Sequence, residues 1–238
     1  MKYGKVIIGA LVGMGSNSTA LFYDKVMQYA RTLYGAQHDN DFPHFIMYSL
    51  PTPFFPQQPI NDRKMQEALA IGIEALNTPE LGIDYIVIPC NIAHKYYDAM
   101  AAQSSVPILN IVTNTLQQLP VLQQSIALLA TQSTIDSHIY QDQLKQHGYQ
   151  IFYDTHLQSQ VNHLLTELKA HSLSQQARNQ WHDIVAYLHL HHCSTVLVAC
   201  TDLSPCIALD ATLSFVDSSD VLARMTIEKY VKLSKSAT

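Results

Sequence analysis

The chain has 238 residues, 47% of them hydrophobic and 14% charged, with a formal net charge of -5. This describes a soluble globular chain long enough to bury a real core, with neither a basic stripe for nucleic acid nor a polybasic patch for a membrane surface. Met1, Lys2 and Lys5 lead into an apolar run that Gly13 and Gly15 interrupt too soon for a signal peptide, and no segment reaches membrane-spanning length, so a cytoplasmic protein is expected.

Apolar, β-branched runs predict strands over 6–11, 45–50, 85–89, 106–111, 126–130, 150–153, 195–199 and 213–216. Between them lies helical periodicity, first Phe22, Val26, Tyr29, Ala30 and Leu33, then Met65, Ala68, Leu69, Gly72 and Leu76. Later helices are read from Ile92, Tyr96 and Met100, from Val161, Leu164, Leu165 and Leu168, and from Ala177, Trp181, Ile184, Val185 and Leu188. Alternating strands and helices predict parallel sheets covered on both faces. The opening phrase VIIGALVGMGSNSTALFYDKV has a counterpart in IALLATQSTIDSHIYQDQL from Ile126. The expected fold is therefore α/β, with two similar doubly wound halves and a ligand cleft between them. The expected division is 1–117 for the first half and 118–216 for the second, with a carboxyl-terminal helix over 217–238 folding back on the first.

Cys90 and Cys200 are the most informative residues. They stand in the look-alike phrases YIVIPCNIAH and VLVACTDLSP, each where an apolar strand ends and a helix is expected to begin. A strand's carboxyl end faces the ligand crevice of an open α/β sheet, and a helix amino terminus favours a thiolate. One such cysteine per half predicts a thiol pair flanking one substrate. Cys193 and Cys206 read as small buried hydrophobes, since a reducing compartment favours free thiols.

Each half also offers a polar strand-to-helix loop, Gly13-Met14-Gly15-Ser16-Asn17-Ser18-Thr19 and Thr131-Gln132-Ser133-Thr134. Their N–H and hydroxyl groups either cradle a carboxylate or cap the helices. The glycine run lacks the third glycine of a dinucleotide loop and the lysine of a P-loop. Asn91 and Thr201 are substrate contacts or caps, and His94, one turn after Cys90, orients the thiol or is structural. The tract His189-Leu190-His191-His192 reads as the solvated last turn of a helix, so no metal is assigned.

Together the loop GMGSNST, the segment PCNIAH and the segment ACTD resemble the aspartate/glutamate racemase superfamily, most closely its aspartate racemase branch, over nearly the whole chain. The family's usual phrases are GGMGP, PCNTAH and GCTE. The resemblance implies two α/β halves related by pseudo-twofold symmetry, an active site between them, and cofactor-independent racemisation of an amino acid by two cysteines, in a homodimer. It implies Cys90 and Cys200 as the acid/base pair. Met14, Ser16, Asn91, Ile92, Ser133, Thr134, Lys169, Thr201 and Asp202 become the substrate-binding residues, with no cofactor, metal, nucleic acid or membrane partner. The chain departs from the pattern at Ile92 for threonine, Asp202 for glutamate and Ser16 for proline. The family's arginine after the second strand is replaced by the stretch Pro51-Thr52-Pro53-Phe54-Phe55-Pro56, and the nearest arginine, Arg63, comes several residues late. Phe54, Phe55 and Ile92 therefore predict a preference shifted away from aspartate. Two alternatives stay open: a related isomerase or decarboxylase acting on a small carboxylic acid, and a catalytically silent binding protein of the same fold.

Overall fold

The computed structural model describes residues 6–54, 59–120 and 125–236. The first half begins with strand β1 (Ile7–Val12), helix α1 (Ser16–Tyr34), strand β2 (His44–Ser49), helix α2 (Asp62–Leu76) and strand β3 (Tyr85–Val87). After β3 come a 3₁₀ turn over Ile92–Tyr96, helix α3 (Tyr97–Gln103) and helix α4 (Ile111–Leu116). The second half runs through strand β4 (Ser125–Ala130), the short helices α5 (Gln132–Asp136) and α6 (Gln141–Gln146), strand β5 (Gln150–Phe152), helix α7 (Thr155–His171) and helix α8 (Gln175–Leu190). Strand β6 (Thr195–Ala199), helix α9 (Ser204–Ile207), strand β7 (Ser214–Asp217) and helix α10 (Ser218–Ser236) complete it.

Two separate parallel sheets form, ordered β2-β1-β3 and β5-β4-β6-β7. In each sheet the first strand of the half lies between neighbours that come later in the chain. The loops leaving β1 and β3, and those leaving β4 and β6, therefore open side by side at the carboxyl edges, where such sheets hold ligands.

The apolar periodicity explains the layers. Met65, Leu69, Ile73 and Leu76 of α2 pack with Ile86, Ile88 and Met100 on the outer face of the first sheet. Leu164, Leu168, Trp181, Ile184 and Leu188 of α7 and α8 cover the second sheet. A third cluster joins the halves: Ile8 and Ala10, Ile126 and Leu128, Phe22 and Val26 of α1, and Leu222, Ile227 and Tyr230 of α10 share one core. Helix α10 lies along α1 and α4, with Tyr29 donating to Asp220 and Lys25 paired with Asp217.

Two expectations fail locally. The run over 106–111 makes a single bridge, Ile86 to Ile108, instead of a strand. Pro107 has no N–H for a ladder, and Asn110 caps α4 by accepting from the N–H groups of Val112 and Thr113. Leu33, expected on the buried face of α1, is 42% exposed because it lies near the helix's free end. Gly35 closes that helix at φ 78, donating to the carbonyls of Ala30 and Arg31.

Candidate active site

Cys90 reaches the cleft through a tight turn. Its N–H donates to the Ile88 carbonyl at 2.8 Å across Pro89, whose fixed φ suits a three-residue turn at the end of β3. The chain then enters a 3₁₀ turn, where an α-helix start was expected. Cys200 ends β6 in extended geometry and leads into a second 3₁₀ turn over Thr201–Leu203. Two short turns carry far less dipole than two helices. Burial wins instead: the thiols are 8% and 7% exposed.

Desolvation pushes Cys90 up to about 11, against the lowering effect of the Ala93 and Ile92 amides. Cys200 is raised further, by burial first and then by Asp202. Lys169 lowers both thiols, so it sits within electrostatic reach of each. The expectation that helix termini favour the thiolate is thus reversed by burial.

Both cysteines line one cleft of about 330 Å³, walled from the two halves. Met14, Asn91, Ile92, Thr134, Lys169, Thr201 and Asp202 all border it, together with Pro51, Phe54, Met65 and Thr131. Ser133 does not: it faces a neighbouring depression that shares Phe54, Thr131 and Lys169 with the cleft. Ser16 opens α1, and its side chain lies outside the described residues, as does Phe55. Arg63 is exposed on α2 and paired with Glu67, so among the described residues no arginine borders the cleft. Lys169 stands 5.2 Å from the Phe54 ring centre, and no carboxylate among the described residues pairs with it.

The hydroxyls of the first loop turn inward. Ser18 and Thr19 both donate to the Gly15 carbonyl, and Thr19 accepts from Gly13 N–H. Asp202 crosses from the other half to this loop, where a Cβ on Gly15 would lie 2.7 Å from its Oδ1. An acid therefore already occupies the loop that was a candidate carboxylate cradle. In the second loop Thr131 accepts from Thr134 N–H and shares a hydrogen bond with the Thr134 hydroxyl at 2.9 Å.

His94 serves the main chain. Ile111 N–H donates to its Nε2, so Nδ1 carries the proton and donates to the Cys90 carbonyl at 2.8 Å. Burial lowers its pKa and keeps the ring neutral. Asn91 is also committed. Its Nδ2 donates to Ser218 Oγ at 3.0 Å, and its Oδ1 accepts from Tyr140 at 2.5 Å. Sequence reading missed Tyr140 and Ser218, because nothing local marks a tyrosine between α5 and α6 as a neighbour of residue 91. Cys193 and Cys206 are buried free thiols that do not border the cleft. His191 and His192 are exposed, and His189 bonds Thr212.

The arrangement defines a class: a two-sheet α/β protein with two strand-end thiols, one from each half, lining one cleft. A family model, Asp/Glu/Hydantoin racemase, matches residues 11–226, and the chain belongs to that family. It is 37% identical over 226 residues to the broad specificity amino-acid racemase RacX of Bacillus subtilis, covering 94% of this chain and 98% of that one. In structure it resembles the Picrophilus torridus aspartate racemase (TM-score 0.77, 23% identity, 95% of this chain and 94% of that one). It also resembles a Francisella tularensis glutamate racemase in complex with D-glutamate (TM-score 0.70, 13% identity, 97% and 82%). At these identities the structural likeness establishes the fold of two parallel-sheet halves. No helix among the described residues is long and apolar enough to cross a membrane.

Proposed function

We propose that this chain racemises α-amino acids without a cofactor, with Cys90 and Cys200 exchanging protons at opposite faces of Cα. The supporting observation is the placement of two buried thiols, from different sheets, on one small cleft that also holds one lysine and one aspartate. The substrate's α-carboxylate lies toward Lys169 and the Thr131–Thr134 loop, and its α-ammonium toward Asp202.

This orientation addresses the thiol problem. With Cys90 at about 11, only about one molecule in a thousand carries its thiolate at pH 8. Asp202 contributes to that rise, and an ammonium group neutralising Asp202 removes its contribution and lowers both thiols. Cys200 is raised more than Cys90, so Cys90 is the sulfur that ionises first while Cys200 stays protonated. Thiolate takes the Cα proton, the opposite thiol donates its own, and the sulfurs leave the turnover with roles exchanged. Charge gathering on the carboxylate is met by Lys169 and the second loop.

Met14, Pro51, Phe54, Met65 and Ile92 give the cleft a largely apolar lining, which favours uncharged side chains over aspartate. That agrees with the broad specificity in the name of the Bacillus subtilis relative. A panel of L- and D-amino acids followed by chiral chromatography tests the reading. Interconversion of neutral amino acids with aspartate turned over poorly is expected. Efficient turnover of aspartate alone overturns the side-chain assignment, and no racemisation of any member overturns the activity.

A further inference from the structure

Tyr140 has no part in the proton transfers above, yet it is fully buried at the seam between the halves. Its hydroxyl donates to Asn91 Oδ1, while Asn91 Nδ2 donates to Ser218 Oγ. The carboxamide next to Cys90 thus uses both ends on protein partners, one from the second half and one from α10. Asn91 also begins the 3₁₀ turn whose first N–H groups, those of Ile92 and Ala93, face the Cys90 sulfur. The Asn91 carbonyl also accepts from His94 N–H at 2.9 Å, which closes the turn over Ile92 and Ala93, so the gripped residue anchors those two peptide planes.

We propose that Tyr140 is a positioning residue for Cys90: by gripping Asn91 from the opposite half, it keeps the Ile92 and Ala93 amides aimed at the Cys90 sulfur. The effect belongs to one cysteine. Cys200 takes its backbone amide from Asp202, on a turn over Thr201–Leu203 that contains neither Asn91 nor Tyr140. The charged and titratable groups facing Cys90 are Asp202, Lys169 and Cys200. Its carbonyl meets neutral His94, and Asp217 faces Tyr140. None of these is altered by removing one phenol oxygen.

The test uses the free full-length protein and does not depend on racemisation. Site-resolved alkylation by iodoacetamide is followed by mass spectrometry at pH 8–9 in the parent and in Tyr140→Phe. Loss of the grip leaves the amides free to turn away and raises the Cys90 thiol further. Alkylation of Cys90 then slows roughly ten-fold, while Cys200 stays near its parental rate. A Cys90 rate that is unchanged or faster overturns the proposal, as does equal slowing of both cysteines, which reports general loosening. Should Tyr140→Phe fail to fold, Asn91→Ser, too short to reach the phenol, is read the same way. The proposal extends the two-thiol reading in one respect only: kcat on a racemised substrate falls with the Cys90 rate while KM holds. An amino-acid panel without turnover but with selective slowing of Cys90 overturns the activity and leaves the positioning role intact.

Discussion

At the scale of single residues, the proposed mechanism puts the chemistry on two thiols, whose environment would set its pH dependence. In that mechanism, replacing Cys90 or Cys200 by alanine removes one proton-transfer group that the other cannot supply from its own face of Cα. A fall in kcat of about a thousand-fold is expected from either change, with the unfolding temperature close to the parent's. Near-parental turnover by either variant overturns the two-thiol assignment. Because burial pushes the Cys90 thiol up to about 11, kcat/KM is expected to rise as pH rises from 7 toward 10. A flat kcat/KM profile in that range overturns a raised Cys90 thiol in the free protein.

At the scale of elements, the glycine loop between β1 and α1 matters through its backbone. Gly15 sits at φ 68, a region that costs an L-residue about 1–2 kcal/mol. A Cβ there meets Asp202 Oδ1 at 2.7 Å and Ser18 Oγ at 3.0 Å. Gly15→Ala therefore strains the loop and pushes Asp202 out of the place proposed for the substrate's ammonium. A rise in KM of about ten-fold or more follows from losing one charged hydrogen bond, with kcat reduced as well because the thiols lose their activation. Parental KM in this variant, measured by chiral assay, removes Asp202 from the binding role. The element boundaries also show where sequence patterns fail: the run over 106–111 has strand composition, but one proline and one capping asparagine leave it a single bridge.

At the scale of the whole molecule, the two sheets place the sulfurs on one cleft from opposite halves, and isotope labelling tests that opposition. Turnover in D2O puts deuterium into the product enantiomer first, because the proton is lost to one sulfur and replaced from the other. Mass spectrometry of the separated enantiomers at early times reads this, and equal labelling of both from the first turnovers speaks for a single exchangeable base. Alkaline pH tests the cost of burying the thiols. Cys90, Cys200 and Cys206 are all raised in the folded state, Cys206 to about 12. The stability each contributes is complete below the ordinary thiol range and is lost as pH climbs through the raised values. The unfolding temperature is expected to hold from pH 7 to 8.5 and to fall between 9 and 11, less steeply in Cys206→Ala. A rise over that interval contradicts the burial of these thiols.

The order and type of most elements were legible in the chain itself. Periods of two and of about 3.6 residues are local properties, and the helices read from Met65, Val161 and Ala177 stand where that periodicity puts them. The strand-end cysteines were legible for the same reason, since a short apolar run followed by Pro-Cys or Ala-Cys defines a sheet edge within ten residues. Tertiary structure alone decided what surrounds them. The acidity of Cys90 and Cys200 depends on desolvation by atoms distant in sequence, which reversed the local expectation of helix-stabilised thiolates. The arrival of Asp202 at Gly15 and of Tyr140 at Asn91, 49 residues away, follows from how the two halves dock. Ser133, one residue from Thr134, turns to the outer depression because neighbours on a helix point about 100° apart. Local pattern determines which groups stand at a sheet's edge; burial and docking determine what charge they carry and what they touch.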